Sequence, residues 1–356
     1  MKTLARQPPV DSQADSGQDP VRAVRKARGK QRHRLLIVIG ALAVALVAAF
    51  AIRVLGGDYL ISLPDFFAIL GGRQIPGARF ILMQSKLPRA VLGLLVGLAL
   101  GTSGAIFQST LRNPLASPDL LGVSAGASTA AVFGIVVLKI SGPALSVAGI
   151  AGAVATAIMI RLLAGSTGGY RLVLVGVTAD AALLAIIQYL FTRADEYDAQ
   201  LALHWMLGSL EAADWQTIAV LAGCLLVLLP IVADTVRTRR ALELGGDLST
   251  ALGAGRWSAE LLLLIAVLLI AFGVAAAGPV AFVSFASGPI ARALNAGRTT
   301  LAGAALVGAV VLVAGDYLGA YAISEVNLPV GVITGALGAP FLLWILAAGR
   351  AGRRVS

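Results

Sequence analysis

Residues Leu87–Gly126 read LPRAVLGLLVGLALGTSGAIFQSTLRNPLASPDLLGVSAG. The run begins as an apolar, glycine-spaced stretch, breaks at Arg112-Asn113-Pro114 and Pro118, then resumes as a second apolar stretch. Proline has no backbone N–H and its ring clashes with the preceding turn, so Pro114 and Pro118 block helix continuation. Two membrane crossings joined by a short polar turn follow from this pattern. Asn113 is suited to backbone groups freed at the helix end, and Ser117 to capping the next helix. On these residues alone the turn is structural, and nothing in it requires catalysis.

The rest of the chain agrees with a membrane setting. Of 356 residues, 58% are hydrophobic and 13% charged, and the mean hydropathy is +0.87. Apolar runs of about 18 or more residues, each able to cross about 30 Å of hydrocarbon, recur throughout. A transmembrane β-barrel would instead alternate in segments of about ten residues. The expected fold is all-α and polytopic, with about ten transmembrane helices at 35–54, 87–110, 119–138, 143–163, 172–192, 214–233, 258–277, 280–294, 301–320 and 329–347. The eighth is short and holds Gly288-Pro289, which predicts a broken or tilted helix.

Charge sets the orientation. With the N-terminus inside, 21 Lys and Arg fall on the inner side or at inner span ends and 7 on the outer side. The positive-inside rule then places both termini in the cytoplasm. Three domains are expected: a disordered basic tail at 1–34, a ten-helix transmembrane domain at 35–347 and a cytoplasmic C-terminal tail at 348–356. The apolar run from Leu35 is too long for a signal-peptide core and reads as an uncleaved first helix. Long connections at 55–86 and 193–213 outside and 234–257 inside are the places for partners.

The net charge of +10 does not indicate nucleic-acid binding, because the basic residues sit in the tail and short loops, where they suit topology and anionic lipid. One cysteine, Cys224, excludes a disulfide within the chain. His33 and His204 show no ligand spacing, so no metal site is expected. There is no phosphate-binding G-x-x-x-x-G-K-[ST] loop, no H-E-x-x-H and no nucleophile elbow, so no catalytic residue is assigned.

Gly93, Gly97 and Gly101 recur every fourth residue and predict close helix packing, within the chain before any subunit interface, as do Gly331 and Gly335. Ala241-Leu242-Glu243-Leu244-Gly245-Gly246 with Leu248, Leu252 and Gly253 reads as two short amphipathic helices split at the glycine pair, a shape able to dock into a groove of a soluble partner. Asp180 and Asp316 lie within spans, where a charge is costly; structural roles and a proton relay are both open, with water near Asp316 at its outer span end.

Several blocks together resemble one family. Lys86-Leu87-Pro88-Arg89, Gln108 with the run Arg112, Asn113, Pro114, Leu115 through Pro118 and Gly122 to Gly126, the 241–253 loop, Gly278–Phe282 with Ile290–Arg292, and Leu328–Phe341 are similar, in order, to the FecCD family. Its members are permease subunits of ABC importers for ferric siderophores, haem and vitamin B12. The resemblance covers roughly 35–347 and is nearest in type to ferric-enterobactin-like permeases. It implies a type II importer fold in the bacterial cytoplasmic membrane and a second permease, homo- or heterodimeric. It also implies two ATP-binding subunits carrying ATP and Mg, and an extracytoplasmic siderophore-binding protein. The 241–253 loop would couple to the ATPases, and Lys86 and Arg89 would form rim salt bridges with the docked binding protein. Three positions depart from the pattern: Lys86 replaces the usual Arg, the 286–292 block lacks a His, and Ala320 stands where an Arg is often seen. These departures favour a heteromeric pair. The expected function is import of an iron–siderophore complex by alternating access. The alternatives are a proton-coupled secondary transporter, or haem or cobalamin as the cargo.

Overall fold

A computed structural model describes residues 20–165, 169–235, 251, 256–321 and 327–352. The helices are α1 (Pro20–Leu55), α2 (Leu63–Leu70), α3 (Ala78–Thr110), α4 (Val123–Val136), α5 (Pro143–Ala164) and α6 (Gly169–Phe191). They continue with α7 (Glu196–Met206), α8 (Trp215–Asp234), α9 (Arg256–Ala277), α10 (Val283–Leu294), α11 (Leu301–Tyr321) and α12 (Val330–Gly352). Among the described residues there is no strand, and all ten expected spans fall on helices. Seven of these, α1, α3, α5, α6, α8, α9 and α11, are long and apolar enough to cross a membrane. With 14 and 12 residues, α4 and α10 reach only about 21 and 18 Å, less than a full hydrocarbon core.

Several sequence boundaries are corrected. Residues 20–34 are helical rather than disordered: Pro20 suits a first helical turn, and the Ala, Val, Arg, Lys and Gln that follow extend the helix which the apolar span nucleates. The outer connection 55–86 holds α2 and the first nine residues of α3, which starts at Ala78. Pro88 sits inside this helix because the preceding turn, Ile81–Lys86, is a π-helix in which the Leu87 N–H bonds Leu82 O. That wider turn absorbs the ring. The 193–213 connection contains α7. The third span starts late, after a 3₁₀ turn at Asp119–Leu121 and a left-handed Gly122 with φ 76°. The eighth is one continuous helix through Gly288-Pro289, starting at Val283.

The most buried span is α3, with 72% of its apolar window inside, against none for α1. Around it pack α8, α9, α10 and α11, while α5, α6 and α7 pack around α4; α9 touches both groups. Leu92, Val96 and Leu100 of α3 share a core with Leu262, Leu269 and Ile270 of α9. The glycine stripe makes the contact with α11. A Cβ on Gly97 would lie 2.4 Å from Ala309 Cα, and one on Gly101 2.3 Å from Ala304 O. Gly308 of α11 answers with the same closeness to Gly97 O, 2.3 Å. The stripe therefore packs inside the chain.

Gly101→Ala is expected to push these backbones apart at a cost of about 1–3 kcal/mol, seen as a lower thermal unfolding midpoint in detergent. Gly40→Ala on α1, where nothing lies within 4 Å of the added Cβ, should lower it not at all.

Candidate functional site

The turn after α3 is drawn into the body of the protein. Arg112 and Pro114 are exposed, but Ala116, Ser117 and Pro118 are buried. The short α4 explains this, since its start lies too far in for the turn to sit in bulk water. Buried irregular backbone needs internal partners. Asn113 supplies one: its Oδ1 accepts the Leu115 N–H at 3.0 Å, and its own N–H bonds Gln108 O at 3.1 Å. Arg112 takes a left-handed φ of 52° to allow the reversal. Ser117 does not cap α4, whose N-cap is Gly122 without a side-chain bond. Asp119 does the fastening instead. Its carboxylate accepts from Ser124 Oγ at 2.6 Å and from Ser284 Oγ, tying the turn to α4 and to the first turn of α10.

Gln108 fixes α10 from one turn higher. Pro289 has no N–H to give to Phe285 O, its partner four residues back, so that carbonyl would be orphaned in the interior. Gln108 Nε2 donates to Phe285 O at 3.0 Å and replaces the missing bond. Gly288 makes room, because a Cβ there would lie 2.0 Å from Gln108 Oε1. Gly104, one turn before Gln108, lets α3 approach Ser284 O just as closely, with 1.8 Å to the added Cβ. Gln108, Asp119, Ser284 and Pro289 thus form one connected device between the turn and α10. Gln108 and Pro289 were singled out from sequence, Pro289 as a helix breaker only. Their pairing, and the roles of Asp119 and Ser284, needed knowledge of which helix faces the turn.

At the outer ends of α1, α3 and α11 lies a buried ion cluster. Asp316, 1% exposed, accepts from Arg53 Nε at 2.5 Å and from Arg89 Nε at 2.9 Å. Lys86 donates to the carbonyls of Gly56 and Tyr59 and is itself buried. The expected rim salt bridges of Lys86 and Arg89 with a docked protein are therefore corrected: both side chains turn inward and are occupied within the chain. Asp316, expected near water, is enclosed by two guanidinium groups. A buried charged group is costly unless it is paired and hydrogen-bonded, and this arrangement supplies both.

On the outer side, Lys139 joins the α4–α5 connection to α7 through Asp198 and, at 3.5 Å, Asp195. The Asp198 carboxylate holds the Lys139 ammonium above its ordinary value. Gly331 abuts the end of α7, with 2.0 Å from its added Cβ to Leu207 O, while Gly335 has only Ala281 Cβ at 3.9 Å and needs no glycine for packing. Gly126 packs on α5 at Thr156, and Gly122 on α6 beside the half-buried Asp180. Ala241, Leu242, Glu243, Leu244, Gly245, Gly246, Leu248, Leu252 and Gly253 lie outside the described residues. Among the described residues, no group of three His, Cys, Asp or Glu is placed to hold a metal ion.

The buried turn and its fastening to α10 come from the same block that carries the sequence resemblance, and the family's model matches residues 36–348. The chain belongs to the FecCD transport family. It is 35% identical over 317 residues to the ferric enterobactin transport system permease protein FepG of Escherichia coli (strain K12), covering 88% of this chain and 96% of that one. It is 36% identical over 276 residues to the Fe(3+) dicitrate transport system permease protein FecD of the same organism, covering 75% and 85%. A vitamin B12 import system permease protein, BtuC of Citrobacter koseri, is 31% identical over 330 residues, covering 90% and 97%. A metal-chelate type ABC transporter solved in an inward-facing conformation shares the fold, with a TM-score of 0.78 and 24% identity over 87% of this chain and 99% of that one. This FecCD-family chain is thus a multi-pass membrane permease.

Gln108→Leu should cost about 1–3 kcal/mol by orphaning the Phe285 carbonyl. In a Pro289→Ala background, which restores the backbone N–H, the same substitution should cost clearly less; equal losses in both backgrounds would remove Pro289 from the explanation. Asp316→Asn leaves the buried Arg53 and the half-buried Arg89 around a neutral group and should destabilise by about 3–5 kcal/mol, measured by thermal unfolding in detergent.

Proposed function

We propose that this chain is the permease subunit of an ABC importer that carries an iron–siderophore complex into the cytoplasm. Alternating access would be driven by ATP hydrolysis on two partner subunits. A second permease completes the path, and an extracytoplasmic binding protein delivers the cargo. The observation that carries the reading is the 35% identity with FepG across 88% of this chain. Siderophore is favoured over cobalamin because the enterobactin and dicitrate permeases stand at 35% and 36% identity and the vitamin B12 permease at 31%. A proton-coupled secondary transporter is disfavoured by Asp316, one of its two relay candidates. Its carboxylate sits between the buried Arg53 and the half-buried Arg89 guanidinium groups, and cycling a proton there would leave both cations without a counter-charge.

The test is uptake of radiolabelled ferric enterobactin into vesicles holding this chain with its ATPase and second permease, the binding protein being supplied outside. Uptake is expected to require ATP and to fall to background with Gly245→Pro, which stiffens the coupling loop without touching a span. Uptake indifferent to ATP would favour proton coupling. ATP-dependent uptake of cobalamin but not of the ferric chelate would move the cargo.

A further inference from the structure

The first outer connection holds a short helix with an open apolar side. α2 (Leu63–Leu70) starts after Ser62, whose Oγ accepts the Asp65 N–H at 3.2 Å and donates to the Asp65 carboxylate at 2.6 Å. Ile69 is buried, but Leu63, Phe67 and Leu70 are 59%, 66% and 49% exposed. Each residue turns an α-helix by about 100°, so these three side chains share an arc of about 60° and Asp65 lies on the opposite side. Phe66 and Ile69 fall on the flank between the two and meet the bundle.

The neighbours of α2 fix its level. Its buried flank shares a core with Phe50 and Val54, in the last two turns of α1, and with Ala90 of α3. Arg53, between the two α1 residues, marks the outer end of that span. The apolar window of α1 has none of its residues buried in the chain, so α2 rests on a helix that is in contact with hydrocarbon. Met83 packs against the same core, and its carbonyl accepts from Nε1 of the exposed Trp215 at 2.9 Å. An exposed tryptophan at a span end belongs to the membrane–water interface. α2 therefore lies at the outer headgroup level. With the bundle on its flank and Asp65 turned to water, its open stripe has the leaflet beneath it. A soluble partner approaching from outside would meet Asp65 and not the stripe.

We propose that α2 is an interfacial anchor, with Leu63, Phe67 and Leu70 inserted among the acyl chains of the outer leaflet. The stripe continues the lipid-facing surface of α1, and the charged side opposite it keeps the helix from sinking further. Lys86 Nζ donates to the carbonyls of Gly56 and Tyr59, so the link from α1 to α2 is tied to α3. The anchor thus holds the outer ends of both spans at one depth.

Cys224 is the only cysteine in the chain, so Cys224→Ser gives a background for a single label. Phe67→Cys and, on the opposite side, Asp65→Cys each receive a nitroxide, and the full chain is reconstituted in phosphatidylcholine vesicles. Power saturation compares collisions with oxygen, which concentrates in hydrocarbon, and with a water-soluble nickel chelate. At position 67, oxygen collisions are expected to dominate and nickel collisions to be lost, corresponding to a depth of about 5–10 Å. At position 65 the order should reverse. Leu63→Cys gives the same reading as position 67 should Phe67→Cys fail to insert. Nickel collisions as frequent on the stripe as at position 65 would place it in water and overturn the proposal. Loss of collisions with both reagents, or spin–spin broadening from a second copy, would place protein over the stripe and overturn it equally.

Discussion

The backbone contact between α3 and α11 is the constraint on which the rest of the bundle depends. In a lipid-like surrounding, burying apolar side chains gives little drive for helices to associate, because the solvent is as apolar as they are. Close van der Waals approach and internal hydrogen bonds must supply the attraction. Gly97, Gly101 and Gly308 allow the two backbones to touch, and on this pair α9 and α10 can pack against the remaining faces of α3. The same logic operates between α4 and α5, where Gly126 and Gly152 bring the helices together.

A second constraint is the completeness of backbone hydrogen bonding in the interior. Pro289 would leave a carbonyl open in the middle of a short helix, and Gln108 answers it from another helix 177 positions away. Only the donor end of an amide can do this, so a glutamate would not serve in that place. The turn below follows the same rule at Asn113, whose side chain accepts a backbone N–H, while Asp119 fastens the turn to two helices through serine hydroxyls. What reads in sequence as a polar loop with two prolines is therefore a fastened junction.

How far the sequence revealed this depends on the range of each interaction. The helical spans, the α3 glycine stripe and the Asn113 turn are local patterns, so periodicity and turn chemistry exposed them. The start of α3 at Ala78 was hidden by Arg79, Gln84, Ser85 and Lys86, which read as loop until the π-turn shows how Pro88 fits. Lys86 and Arg89 looked like outward-facing charges because their partners are remote: Asp316 is 227 positions from Arg89. Likewise Ser284 gave no signal of its own, and its meaning lies in facing Asp119. Pairing between distant helices was the part that one sequence does not display.

The ion cluster also has a consequence for how the protein is made. Arg53 and Arg89 are synthesised 263 and 227 residues before the carboxylate that neutralises them. At bacterial translation rates that interval lasts on the order of tens of seconds. Throughout it, the first two long helices carry guanidinium groups near their outer ends without the carboxylate that they share in the folded chain. Arrival of α11 closes the pair, and with it the first helix becomes fixed to a core built mostly from later ones. Asp316 thus ties the N-terminal helix, the first to be made, to one of the last.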